Sequence, residues 1–172
     1  MKFSIITPSY NQGAFISETI ESVISQEGDF FIQYIVVDGK SSDRTIDILK
    51  VYEKKINQHE IEIKCRGIEF MWLSEKDEGQ SDAINKGMRL ADGDVVAYIN
   101  SDDYYEPHAF EKVATVFREN SEAKWVFGRC RNVNEQGKEV RALVAQYKDA
   151  WARHYSFNKL AILNFIAQPS VF

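Results

Sequence analysis

Proline and glycine are scarce in this chain of 172 residues, three and nine respectively. That scarcity excludes collagen-like and low-complexity classes. Cysteine is scarcer still. Cys65 and Cys130 are far apart in sequence with no C-x-x-C around them, so neither a disulfide framework nor a zinc site is expected, and two reduced thiols fit a cytoplasmic protein. His59, His108 and His154 are dispersed and read as structural or exposed. Basic charge is not in excess: 21 Lys and Arg face 26 Asp and Glu, for a net charge of −5. A chain without a basic face is not expected to bind nucleic acid, although one phosphorylated small molecule needs only a local site. Long apolar runs are missing too, and none approaches the ~18 residues of a membrane span. Met1-Lys2-Phe3-Ser4 runs straight into a strand-like segment, so no signal peptide is expected.

What is present is an alternation of short apolar runs with amphipathic stretches. Phe3–Thr7, Tyr34–Val37, Phe70–Leu73 and Val95–Ile99 read as buried strands. Residues 14–26, with Ile16, Ile20, Val23 and Ile24 on one face, read as a helix. So does the stretch after Ser42 or Asp43, either of which can cap it, with Ile46, Leu49 and Tyr52 on one side. A third helix is expected over Ser81–Leu90 with Ile84, Met88 and Ala91 toward the core, and a fourth from Pro107 in its first turn through Phe117. Trp125–Gly128 is a candidate fifth strand, and Asn134–Gly137 a hairpin turn between Arg131–Val133 and Glu139–Leu143. From Ala145 the sequence is aromatic-rich and helical in pattern. The order implies an α/β fold, a mostly parallel central sheet with helices on both faces, in one domain over residues 1–172.

Ligands of such sheets bind beyond the carboxyl ends of the strands, and a polar cluster follows each of the four. Asn100-Ser101-Asp102-Asp103 sets two adjacent carboxylates at a strand end. Their repulsion is relieved by a cation, and oxygen ligands favour Mg2+ or Mn2+ over zinc; the alternative is a turn that caps the next helix. In Thr7-Pro8-Ser9-Tyr10-Asn11 the tyrosine ring either stacks on a nucleobase or covers the end of the core. In residues 75–87, Gly79 permits a tight turn and Ser81 or Asp82 caps a helix. Asp82 and Asn85 share a face that either points into a cleft, suiting ribose or base contacts, or is merely solvated. No G-x-x-x-x-G-K-[ST], G-x-G-x-x-G or G-x-S-x-G is present, so the usual signatures of NTP hydrolysis, dinucleotide redox and α/β-hydrolases are missing.

Taken in order, TPSYNQ (7–12), VVDGKSSDRT (36–45), SEKDEGQSDAINKG (74–87), GDVVAYINSDDYYEP (93–107) and QPSVF (168–172) resemble the family 2 inverting glycosyltransferases of the GT-A fold. The similarity is to the subgroup that assembles lipopolysaccharide, capsule or other surface polysaccharides. It implies roles for individual residues. Pro8, Ser9 and Tyr10 would line a nucleobase pocket, and Asp38 would contact uridine. Asp102 would be the metal ligand, in the position of the family's D-x-D motif, with Asn100 facing the ribose and Asp103 in support. Asp82 would hold the nucleotide or donor sugar, while Gln168 and Pro169 would lie near donor and acceptor. The implied reaction is metal-dependent, inverting transfer from a nucleotide-sugar, in particular a UDP-sugar, to a saccharide or lipid-linked hydroxyl, helped by a general base.

Three departures accompany the resemblance. Gly39 stands where many members carry a second acidic residue, so another group, for which Asp82 is the candidate, must supply that contact. Asn100 replaces the first D-x-D acid. The family's acceptor-side region, with its acidic base, is expected to be largely missing, so no catalytic base is assigned. A donor-binding domain without turnover is the alternative reading, and nucleotidyl transfer a more distant one. Tyr147, Trp151 and Tyr155 recur at helical spacing and read as core packing or as contact with a lipid-linked acceptor or membrane surface. A peripheral membrane location and pairing of a sheet edge with a second copy are further expectations.

Overall fold

The computed structural model describes residues 1–134, 136–162 and 164–172. The described residues group into two compact units, Met1–Lys124 with Phe172, and Trp125–Val171.

In the first unit four parallel strands make a sheet of order β3-β2-β1-β4: β1 (Lys2–Ser9), β2 (Phe31–Asp38), β3 (Gly67–Ser74) and β4 (Val95–Tyr98). Between them run α1 (Ile16–Ile24), α2 (Thr45–Asn57) and α3 (Gln80–Leu90), and α4 (Ala109–Glu119) follows β4. Continuous burial along β1 from Phe3 to Ser9 and along β2 from Ile32 to Asp38 is the signature of strands covered on both faces. Side chains alternate between the faces. Ile6, Ile35 and Val37 pack with Ala83 of α3 on one of them. Phe3, on the other, stacks on Phe110 of α4, with Phe30 and Phe172 edge-on to Phe3. The α/β architecture with helices on both sides is the one expected from the alternation.

Several details differ from expectation. Pro107 lies in the turn before α4, which begins at Ala109 after His108 adopts a left-handed conformation (φ 62). In α3 the inward residues are Ala83 and Gly87, whereas Met88 is 40% exposed. The reason is close approach. A methyl on Gly87 would lie 2.9 Å from Ile6 Cγ1 and nearer still to Cγ2, so the helix can lie this close to β1 only through its small residues. Apolar spacing alone selects the larger side chains, Ile84 and Met88, and here they lie one residue, about 100°, around the helix from the inward pair.

The second unit holds a short hairpin, β5 (Asn132–Val133) with β6 (Glu139–Val140), then α5 (Ala142–Ala152), α6 (Phe157–Ile162) and a 3-10 turn at Gln168–Ser170. The hairpin turn expected at Asn134–Gly137 includes Glu135, outside the described residues, while Gly137 has the positive φ (71) that turn chemistry favours. Trp125–Gly128 is not a strand; only Phe127 bridges, to Val171. Arg141 turns left-handed (φ 56) and starts α5, so the second hairpin strand stops at Val140 instead of reaching Leu143. Tyr155 falls beyond α5, so Tyr147, Trp151 and Tyr155 do not form one helical stripe. Tyr147 packs on Trp151, and Tyr155 on Trp125, Phe127 and Phe165. Among the described residues no helix is long and apolar enough to cross a membrane.

Candidate functional site

The register of the sheet sets Ser9, Asp38 and Ser74 side by side at the carboxyl ends of β1, β2 and β3. Strand alternation puts their side chains on one face, so they form a polar row along the edge. Asp38 is fully buried and anchors it. Its Oδ2 accepts from the Ser41 backbone N–H (2.8 Å) and the Ser74 hydroxyl (2.7 Å), and its Oδ1 accepts from the Ser41 hydroxyl. The buried Ser9 hydroxyl has no hydrogen-bond partner among the described residues. The ladder runs one step further, with Gly39 N–H donating to Ser9 O (2.8 Å) and Glu75 N–H to Asp38 O (3.0 Å). The loops after the three strands therefore leave the sheet at one level.

The loops after β1 and β2 are laced together by short polar side chains. Asn11 N–H donates to Ser41 Oγ (2.7 Å) and Ser42 N–H to Asn11 Oδ1 (2.9 Å). Gln12 N–H donates to Thr45 Oγ1 (3.0 Å), Gly13 N–H to Asp43 Oδ2 (2.8 Å), and Arg44 Nε to Gly13 O (2.7 Å). Neither Ser42 nor Asp43 is the N-cap of α2, which is Arg44 without a side-chain cap bond; Asp43, one residue earlier, accepts through Oδ1 from the Thr45 N–H and hydroxyl. Tyr10 stands at the tip of this laced pair of loops, 62% exposed. It does not cover the core; its ring is available to a flat ligand.

The Thr45 hydroxyl, with the Thr45 and Gly13 amides, holds the Asp43 carboxyl below its ordinary value of 3.8. A depressed carboxyl stabilises the fold above its unfolded-state value, and that contribution is lost as pH falls through the folded one. The difference in denaturation midpoint between wild type and Asp43→Asn is expected to shrink between about pH 6 and about pH 3. A constant difference across that range would refute the lacing role of the charge.

The loop after β3 is fixed from α3. Lys86 pairs with Glu75 (2.8 Å) and Asp82 (3.2 Å) and donates to Lys76 O (3.3 Å). Lys86 is the main reason the Asp82 carboxyl sits below its usual range. Asp82 also accepts from Glu78 N–H (3.3 Å), reaching back over the helix start at Gly79, which is left-handed (φ 110) and carries no side-chain cap. Neither Ser81 nor Asp82 is the N-cap residue. Gln80, the first residue of α3, donates to Asn100 Oδ1 (2.7 Å), and Asn100 Nδ2 donates to Asp103 Oδ2 (3.0 Å).

This chain links the third loop to the turn after β4. The turn is itself held from Thr19 and Ser22 of α1 and from Gln26 just beyond its C-cap. Thr19 Oγ1 donates to Asp103 O (2.8 Å), Tyr105 N–H to Ser22 Oγ (3.1 Å), Gln26 Nε2 to Glu106 O (3.0 Å), and Phe110 N–H to Gln26 Oε1 (3.1 Å). Burial raises the half-buried Asp103 carboxyl, the Asn100 amide opposes that, and the charge of Asp102 adds to it. Asp102 itself is exposed, and among the described residues no Lys or Arg pairs with it.

Pro8, Ser9, Tyr10, Asp38, Asn100, Asp102 and Asp103 thus belong to strand ends and following loops of the first unit, and Asp82 to the first turn of α3. Gln168 and Pro169 belong to the second, in the turn where Gly128 N–H donates to Ser170 O (2.9 Å). Among the described residues no three His, Cys, Asp or Glu side chains converge as a metal cage. One free carboxylate, Asp102, fits a hard divalent cation that draws its other ligands from water and phosphate oxygens. The sequence pattern does not reveal the positioning groups Ser41, Ser74, Gln80 and Lys86, nor Thr19, Ser22 and Gln26.

The family model of Glycosyl transferase family 2 matches residues 4–167. A putative teichuronic acid biosynthesis glycosyltransferase, TuaG of Bacillus subtilis, is 36% identical over 118 residues, 69% of this chain and 42% of that protein. The Staphylococcus aureus TarS fragment crystallised with UDP-GlcNAc superposes with a TM-score of 0.63 at 27% identity, covering 80% of this chain and 36% of that one. A mannosyltransferase of Pyrobaculum calidifontis shares the fold at 16% identity, with a TM-score of 0.59 over 78% of this chain and 36% of its own. The chain spans less than half the length of each of these relatives.

Proposed function

Because the chain belongs to glycosyl transferase family 2, we propose that its first unit binds a nucleotide-sugar, specifically a UDP-sugar, for transfer of the sugar to an acceptor hydroxyl with inversion. The observation that carries this reading is the single cross-linked polar edge built by all four strand ends, with Tyr10 exposed after β1 and Asp102 exposed after the neighbouring β4. The UDP-GlcNAc complex of TarS, a 27% identical neighbour of the same fold, supports the choice of donor. Tyr10 would stack on the base, and Pro8 and Ser9 would wall its pocket. Asp38 would act through the Ser41 and Ser74 loops it holds, and Asn100 and Asp82 would face the ribose and sugar. Mg2+ or Mn2+ at Asp102 would supply Lewis-acid stabilisation of the diphosphate leaving group.

The acceptor reading is a saccharide or lipid-linked hydroxyl, with Gln168 and Pro169 near it. Residues 125–171 carry seven Lys and Arg against three Asp and Glu, and Leu143, Phe157 and Ile162 are strongly exposed. That combination suits an anionic, lipid-linked acceptor at a membrane surface.

Calorimetry with UDP and Mn2+, followed by UDP-sugar turnover with acceptor extracts, tests the reading. Binding is expected, with label passing to the organic-extractable fraction; failure to bind any nucleotide would sink it, and binding without transfer would establish the donor-binding alternative. Base–aromatic stacking is worth about 1–3 kcal/mol. Tyr10→Ala is therefore expected to weaken UDP by about tenfold or more while leaving the thermal midpoint unchanged.

A further inference from the structure

Gly39 is the bare point in the polar edge, one residue beyond the Ser9–Asp38–Ser74 row, with its N–H on Ser9 O. The space over it is not empty. A Cβ on Gly39 would lie 2.8 Å from Asp77 Oδ2 and 3.2 Å from both Asp77 Cγ and Oδ1. The carboxylate of the third loop thus occupies the place that a residue-39 side chain would take.

The loop holds it there by its own geometry. Asp77 Oδ1 accepts from Gly79 N–H (3.0 Å), a turn that the positive φ of Gly79 permits, and the Lys86 pairs fix Glu75 and Lys76 just before it. The second oxygen, Oδ2, takes no hydrogen bond among the described residues. It is a charged acceptor with spare capacity, next to the backbone leading into Tyr10 and above a position with no side chain.

We propose that Asp77, not a residue of the second strand's own loop, is the base-reading group of this site, and that Gly39 is glycine to admit it. The inference rests on the nucleotide-binding reading above. A base held against Tyr10 with an edge N–H donates to Asp77 Oδ2; uracil N3–H does so, whereas cytosine presents an acceptor at N3 and leaves the carboxylate unmatched. Asp77 therefore selects uridine over cytidine nucleotides. This assignment replaces Asp82, whose carboxylate is already shared between Lys86 and the Glu78 amide.

The test is calorimetric titration of the full chain with UDP and with CDP. A hydrogen bond to a charged group implies a UDP preference of about tenfold to a hundredfold in wild type. Asp77→Asn keeps an acceptor for the Gly79 N–H and removes the charge. It is expected to weaken UDP by about tenfold and bring the UDP-to-CDP ratio close to unity. A purely structural role would weaken both nucleotides alike and leave the ratio intact, which would overturn the proposal.

Relocating the carboxylate is a second arm. Gly39→Asp alone is expected to impair UDP binding, because two carboxylates meet. Gly39→Asp with Asp77→Ala is expected to recover most of the UDP preference lost in Asp77→Ala. No recovery in a double variant with a wild-type thermal midpoint would count against the shared position. Wild type that binds neither nucleotide would instead refute the nucleotide reading itself.

Discussion

Gly87→Val is expected to lower the unfolding free energy by about 3 kcal/mol, the upper end of typical overpacking penalties. Helix propensity points the opposite way, since glycine inside a helix costs about 1 kcal/mol relative to alanine. The clash wins because an added Cβ meets Ile6 within the layer formed by Ile6, Ile35, Val37 and Ala83. Ile6 lies in a strand paired on both sides, so it cannot retreat. Urea denaturation measures the loss. The double variant with Ile6→Ala should be more stable than the sum of the single effects predicts, because the valine fills volume the isoleucine vacates. Wild-type stability in Gly87→Val would show that α3 does not lie as close to β1 as described.

Asp102→Ala is expected to reduce Mn2+-dependent transfer by about a hundredfold or more, since charge stabilisation at a metal site is worth several kcal/mol. Stability should not change. Asp102 is exposed and makes no hydrogen bond or ion pair among the described residues, in contrast to Asp103, which is half-buried and tied to Asn100. Circular dichroism and the thermal midpoint separate the two effects. A fold-neutral Asp102→Ala with undiminished Mn2+ dependence would remove Asp102 as ligand. Loss of stability would instead favour the turn-and-cap reading of Asn100–Asp103.

Much of this arrangement was legible beforehand because it depends on local chemistry. Val95–Tyr98 is a strand as its β-branched run implies, although at the sheet edge it buries only Val95 and Ala97, and the polar residues after it fall at its carboxyl end. The same holds for Tyr34–Val37 followed by Asp38. The illegible parts depend on partners distant in sequence. Thr19, Ser22 and Gln26 look like the solvated side of a helix until the loop at 103–110 arrives to bond them. Met88 looked like core because periodicity reports which face is apolar, not how closely the backbones approach. Trp125–Gly128 had the composition of a strand but finds only the single bridge to Val171.

By itself, then, the sequence determined the order of strands and helices, the parallel sheet, and the identity of the polar groups at its edge. These follow from side-chain periodicity and from the backbone's need to satisfy its own hydrogen bonds. Tertiary structure alone decided which polar groups are spent on holding loops and which stay free. Asp38, Asp43, Asp77, Asp82 and Asp102 all belong to the polar stretches that follow the strands in sequence. Asp38 is taken up by Ser41 and by Ser74 of β3, Asp43 by Thr45 and the Gly13 amide, and Asp82 by Lys86 and the Glu78 amide, while Asp77 Oδ2 and the Asp102 carboxylate make no hydrogen bond or ion pair among the described residues. The distant partners, Ser74 for Asp38 and the Gly13 amide for Asp43, are set by strand register and loop lacing, and no window of sequence contains those.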